Sequence, residues 1–188
     1  DTVGIVVFGT TARVVLNPTS ANEKGKILTA IYSLKTEGST NTEAGIKMGY
    51  DMANKAYRAD GINRVILCSD GVANTGQTNA EKLLQTITGY AKSGITLSTF
   101  GFGMGNFNDA LMERLANGGD GNYAYIDDLD EARRQFINNL TSNLQVIALN
   151  SKVQVDFNAD VVSRYRLIGY ENRAIADKDF RNNAVDAG

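Results

Sequence analysis

Arg64-Val65-Ile66-Leu67-Cys68-Ser69-Asp70-Gly71 runs from an apolar stretch directly into a carboxylate and a glycine. A short continuous apolar run closed by turn residues is the pattern of a strand buried on both faces. The residues before it read as a helix, with Ile46, Gly49, Tyr50, Ala53 and Tyr57 on one stripe, closing near Asp60-Gly61. After it, Leu83, Leu84, Ile87, Tyr90 and Ala91 recur at helical spacing, and Gly94 stands where a helix C-cap belongs. Residues 95–100 form a second buried-type strand, followed by a glycine-rich loop over 101–105 and a short helix with Ala110, Leu111 and Leu115. Tyr123-Ala124-Tyr125-Ile126 is a further strand. Asp128-Leu129-Asp130-Glu131 then opens a long helix through Ala132, Phe136, Leu140, Leu144 and Ile147. Strand and helix alternate from 64 to 147, which predicts a parallel sheet with helices on both faces.

Upstream, Val3-Gly4-Ile5-Val6-Val7-Phe8 is another buried-type strand. A Gly-Thr-Thr turn leads to Ala12-Arg13-Val14-Val15-Leu16, so a hairpin is expected. Ser20-Ala21-Asn22-Glu23 and Thr78-Asn79-Ala80-Glu81 match capping boxes. The first opens a helix with Ile27, Ala30, Ile31 and Leu34 on one face. After Asn150 the texture changes. Lys152-Val153-Gln154-Val155-Asp156-Phe157 and Arg164-Tyr165-Arg166-Leu167-Ile168 alternate strictly, as half-buried antiparallel strands do. The expected architecture is therefore a three-layer, doubly wound, Rossmann-like α/β domain with a mostly parallel sheet over residues 1–150. Residues 151–188 begin a β-rich extension.

Composition narrows the chemistry. Net charge is −2, and no basic stripe marks a nucleic-acid face or membrane surface. No apolar run reaches the length of a bilayer span. The single cysteine, Cys68, excludes an internal disulfide and reads as a small core residue. There is no histidine, so the commonest general base is absent. Ser69 beside Asp70 has no base to activate it, and no enzyme is expected.

In open α/β sheets, ligands sit at the carboxyl ends of the strands. Asp70 lies there, and the loop before the Ile46 helix offers Ser39, Thr40 and Thr42. Carboxylate and hydroxyl oxygens on one sheet edge suit a hard cation such as Mg²⁺. The plainer reading makes Asp70-Gly71 a turn and Thr40 or Thr42 a helix cap. Three other features resolve toward structure. The Gly101-Phe102-Gly103-Met104-Gly105 loop lacks the spacing and position of a dinucleotide fingerprint. Asp127, Asp128, Asp130 and Glu131 lack Ca²⁺-loop spacing and sit at a helix start, where acids favour the dipole. Asn139-Leu140-Thr141 is a sequon in mid-helix, read as chance.

Gly38-Ser39-Thr40-Asn41-Thr42-Glu43-Ala44-Gly45-Ile46 and Val65-Ile66-Leu67-Cys68-Ser69-Asp70-Gly71 resemble the second and third loops of a von Willebrand factor A-type domain. The order of elements over residues 1–150 agrees. Val155-Asp156-Phe157-Asn158 and Tyr165-Arg166-Leu167-Ile168-Gly169-Tyr170-Glu171-Asn172-Arg173 resemble the region that follows this domain in a bacterial family. The resemblance implies a metal-ion-dependent adhesion site, with Mg²⁺, Mn²⁺ or Ca²⁺ bridging to a carboxylate of a protein partner. Carried over by position, its Thr is Thr40 and its Asp is Asp70. The resemblance also suggests the cell envelope.

The family's Asp-x-Ser-x-Ser motif is absent from this sequence. Against the family pattern the chain opens at the second strand, so metal binding by this chain alone is expected to be weak or absent. The family's first strand lies between the strands over 3–8 and 64–69. Without it, two apolar strand edges are exposed, which invites strand exchange or aggregation. The expectation is that an upstream segment, or another chain in a homo-oligomer or strand swap, fills that gap. The alternative is a metal-independent structural module that assembles through its strands.

Overall fold

The computed structural model describes residues 1–35, 38–70, 80–103, 109–139 and 155–166. The chain divides into two compact units, Asp1–Gln145 and Val146–Gly188.

In the first unit β1 (Thr2–Phe8) and β2 (Ala12–Ser20) form an antiparallel hairpin whose register closes at Phe8 opposite Ala12. Helices α1 (Lys24–Tyr32) and α2 (Thr42–Lys55) follow, then β3 (Asn63–Ser69) and α3 (Ala80–Lys92). Next come β4 (Ile95–Phe102), α4 (Asp109–Gly118), β5 (Tyr123–Ile126) and α5 (Leu129–Arg133), which passes into a π-helical turn over Arg134–Asn138. β3, β4 and β5 pair in parallel in that order, Asn63 beside Ile95 through Ser69 beside Gly101, then Thr99 beside Tyr123. The fold is α/β with a parallel sheet and flanking helices.

Residues paired across a parallel ladder share a face, so Val65, Leu67 and Ser69 project with Leu97, Thr99 and the position of Gly101. That face carries the core. Ile46 and Tyr50 of α2, Leu83 and Ile87 of α3, and Leu111, Met112 and Leu115 of α4 cluster with Leu67, Ile95 and Leu97. Each such side chain, fully buried, contributes about 1.5–3 kcal/mol of hydrophobic stabilisation. The buried Thr99 hydroxyl is satisfied by donating to the Met112 carbonyl at 2.9 Å. The opposite face is covered at Phe100, whose ring meets Phe136 at a centroid distance of 4.7 Å.

The hairpin and the three-stranded sheet are separate, and among the described residues no strand lies between β1 and β3. Helix α2 bears on both. A methyl added at Gly45 would stand 2.7 Å from the Phe8 ring of β1, and one at Gly49 would stand 3.3 Å from Val65 of β3. The glycines let one helix lie close against two sheets.

Four expectations need correction. Cys68 is exposed rather than in the core. It shares the second face of β3 with Ile66, itself 44% exposed. Ser20 ends β2 and does not cap α1. Its hydroxyl accepts from the Asn22 amide, and the α1 N-cap position falls to Glu23, which makes no side-chain cap bond. Leu129 is 66% exposed and does not join an apolar helix stripe. The cap of α2 is neither Thr40 nor Thr42 but Asn41, whose side chain accepts from the Ala44 amide.

In the second unit the described residues 155–166 hold no strand. The Asn158 side chain accepts from the Asp160 amide and its carbonyl from the Val161 and Val162 amides, closing a turn. The Phe157 and Tyr165 rings stack across it at 4.3 Å. The alternating stretches over 152–157 and 164–168 lie only partly within the described residues. The Thr78 capping box, and the long helix beyond Asn139, lie outside them.

Candidate functional site

Thr40 sits in a short loop that is tied on one side to the β1–β2 turn. The Asn41 amide donates to the Gly9 carbonyl at 2.8 Å, and the Asn41 side-chain amide reaches the Thr10 carbonyl at 3.4 Å. The Ser39 hydroxyl donates to the Thr10 hydroxyl at 3.2 Å. On the other side Asn41 Oδ1 accepts from the Ala44 amide at 3.1 Å. Asn is among the strongest N-cap residues because it satisfies an orphan N–H of the first turn. One asparagine thus anchors the loop to the end of β1 and starts α2, and Thr40 is held half-buried between these ties.

Asp70 is the residue after β3 and is exposed. Asn63 fixes the start of that strand: its side chain donates to the Arg58 carbonyl at 2.8 Å and accepts from the Arg58 amide at 3.0 Å. β3 then runs back along α2, with Val65 against Gly49, so Asp70 emerges toward the end of α2 that carries Thr40. Both residues singled out from the sequence therefore stand at carboxyl ends of strands on one side of the unit.

Two buried hydroxyls adjoin them, that of Thr42, which the sequence already offered as an oxygen donor, and that of Ser69, which it did not. Thr42 Oγ1 and Ser69 Oγ are buried and make no hydrogen bond among the described residues. An unsatisfied buried hydroxyl costs about 1–3 kcal/mol, so such groups mark places where a further partner is wanted. For Ser69 the only signal in the sequence was its place beside Asp70 at the end of β3.

The donors at this edge are all oxygen, which fits a hard cation in kind. In number they fall short. Thr40 and Asp70 offer two oxygens where Mg²⁺ takes near-octahedral coordination, and among the described residues no group of three or more His, Cys, Asp or Glu gathers. The other acidic cluster is engaged elsewhere. Asp128 caps α5 through the Glu131 amide at 2.7 Å, Asp130 pairs with Arg133, and Glu131 takes a bidentate bond from Arg134 that holds its carboxyl below the usual range. Of the glycine-rich loop, the described part is residues 101–103, with Gly103 at φ +95°.

Known proteins can now be set beside this geometry. The protein called "Uncharacterized protein YfbK" from Escherichia coli (strain K12) is 40% identical over the whole chain, which spans 33% of its length. The structure of von Willebrand factor type A from Catenulispora acidiphila aligns with TM-score 0.59 at 20% identity, covering 72% of this chain and 32% of that one. The manganese-loaded TRAP protein of Plasmodium vivax aligns with TM-score 0.56 at 19% identity, covering 73% and 56%. The C-terminal family model of YfbK matches residues 142–188, and the model of the von Willebrand factor type A domain matches residues 1–139. The match covers well over half of the chain, which therefore belongs to the von Willebrand factor type A family.

Proposed function

We propose that this domain binds a protein partner through a divalent cation held at the edge carrying Thr40 and Asp70. The observation that supports it most is the convergence of a tethered threonine and an exposed aspartate at carboxyl ends of strands that flank one helix. A bound Mg²⁺ or Mn²⁺ would supply a positive centre able to accept a carboxylate from the partner. Thr40 would face the ion directly or through water, and Asp70 would supply charge. The manganese-loaded neighbour of the same fold is consistent with this reading. The remaining oxygens would come from water and from a segment inserted between β1 and β3, contributed by more of the protein or by a second copy.

The role is binding rather than catalysis. The chain has no histidine, and the Ser69 hydroxyl meets no base among the described residues. The shortage of donors favours one second reading, a metal-independent module that assembles through its open strand edges in the cell envelope.

Calorimetry with Mn²⁺ and Mg²⁺ on this chain and on the full-length protein separates the two. Under the metal reading the full-length protein binds, and Asp70→Ala weakens it by more than the about 10–100-fold typical of losing an outer-shell partner. The fold should persist, because Asp70 is exposed. Metal binding unchanged by Asp70→Ala would sink the assignment. No binding by either protein would move the function to metal-independent assembly.

A further inference from the structure

The structure assigns Tyr125 a positioning role: its hydroxyl fastens the turn after β4 against Asp70. This rests on the reading of Asp70 as a cation-site residue. Ser69, Gly101 and Tyr125 form one row across β3, β4 and β5. Beyond this row β3 delivers Asp70 and β4 delivers Phe102 and Gly103. Gly103 turns the chain with φ +95°, a conformation that side-chain-bearing residues rarely adopt. A methyl placed on it would meet the Asp70 carbonyl at 3.8 Å, so the turn lies in contact range of the Asp70 backbone. From the neighbouring strand β5, the Tyr125 hydroxyl donates to the Gly103 carbonyl.

The bond crosses the sheet end rather than running along it. The ladders hold β4 to β3 as far as Gly101 and to β5 as far as Phe102, but no ladder pair holds Gly103. Tyr125 does so from β5. It is partly exposed, so its hydroxyl adds little to the core and its effect is local. Groups that orient a ligand without touching the metal act in this way, and their loss lowers affinity while leaving the fold standing.

Tyr123 supplies the control. It lies on the same strand, but its hydroxyl donates to Asp109 at the start of α4 rather than to Gly103. The experiment compares Tyr125→Phe and Tyr123→Phe in the full-length protein. The readouts are Mn²⁺ affinity by calorimetry, thermal midpoint, and amide exchange of the segments ending at Gly103 and Asp70. Tyr125→Phe should speed exchange in those segments by about 3–10-fold, the loss expected for one hydrogen bond. It should also raise the Mn²⁺ dissociation constant by about tenfold, with a small change in thermal midpoint. Tyr123→Phe should leave both exchange and affinity near wild type. Unchanged exchange at Gly103 and Asp70 in Tyr125→Phe overturns the assignment, as does faster exchange with unchanged Mn²⁺ affinity. If the wild-type protein binds no Mn²⁺, the cation reading fails on its own, and the exchange comparison alone decides whether Tyr125 holds the turn.

Discussion

Replacing Gly45 by alanine sets two effects of known size against each other. Gly45 lies inside α2, and glycine there destabilises a helix by about 0.5–1 kcal/mol relative to alanine. On helix propensity alone the change stabilises. The new methyl, however, would stand 2.7 Å from Cγ and Cδ1 of Phe8 and 3.0 Å from its Cβ. These atoms are at the root of the ring, so a rotamer change cannot clear them. Either α2 or β1 must move, and overpacking of this kind costs about 1–3 kcal/mol, here near the upper end. Subtracting the helix gain leaves a net loss of about 2 kcal/mol, or about 4–8 °C in thermal midpoint for a domain of this size. Gly89 gives the opposite outcome. It lies inside α3, and a methyl there meets nothing within 4 Å. Gly89→Ala should raise the midpoint by about 1–4 °C through propensity alone. Differential scanning calorimetry of both variants is the assay. If Gly45→Ala matched or exceeded the wild type while Gly89→Ala behaved as expected, the close approach of α2 to β1 would be wrong. The tether of the Thr40 loop to Gly9 would then lose its support.

Two further outcomes follow from the same coordinates. A methyl at Gly121 would overlap the backbone carbonyl of Leu97 and threaten the Leu97–Gly119 and Thr99–Asn122 backbone bonds. Gly121→Ala should therefore cost about 3–5 kcal/mol in denaturant unfolding, from overpacking and weakened bonds, and a loss under about 1 kcal/mol would reject the contact. Cys68 is exposed as a residue, yet burial of its thiol pushes it up to about 11. Maleimide labelling in native buffer should go to completion, with a rate rising about tenfold per pH unit between pH 7 and 10 as thiolate forms. A plateau near pH 9 would show an ordinary thiol.

The parts legible in the sequence were those with a single period. The apolar runs over 64–69 and 95–100 became β3 and β4; β4 is buried nearly throughout, as a strand in a helix-covered sheet needs no polar alternation, whereas β3 is covered on one face. Of the stripe Ile46, Gly49, Tyr50, Ala53 and Tyr57, Ile46 and Tyr50 became buried on α2, whereas Tyr57 lies beyond the helix end and is 43% exposed; Gly94 ended α3 at φ +89°. Thr40 and Asp70 were picked out by their resemblance to the family's loops and by the rule that ligands sit at carboxyl ends of strands, and their pairing at a site is part of the proposal above. What was not legible depended on competition between neighbours. Ser20 resembled a cap but was drawn into β2, where pairing with Thr2 decides its backbone. Asn41 outcompeted two threonines for the cap because it alone also reaches Gly9 and Thr10. Cys68 looked internal because an apolar run was assumed to be covered on both faces. In the described structure only the face toward α2, α3 and α4 is covered along the length of β3.

The open strand edges and the proposed cation site share a location. Among the described residues β1 is paired on one side only, with β2, and β3 on one side only, with β4. Helix α2 lies against both β1 and β3. Open edges of this kind are unfavourable in a free protein, since their N–H and C=O groups seek any strand on offer. The edge with too few oxygens lies at the carboxyl ends of these same two strands, with buried hydroxyls of Thr42 and Ser69 waiting beside it. One inserted strand would pair both edges and bring its own end residues to Thr40 and Asp70. Two separate additions, one for the sheet and one for the ion, would each have to find the same gap. On our reading, then, completion of the sheet and completion of the cation site are a single event. A chain that gains the strand should gain metal affinity and lose any self-association through its open edges in the same titration, whereas gaining one without the other would show that the two deficits are unrelated.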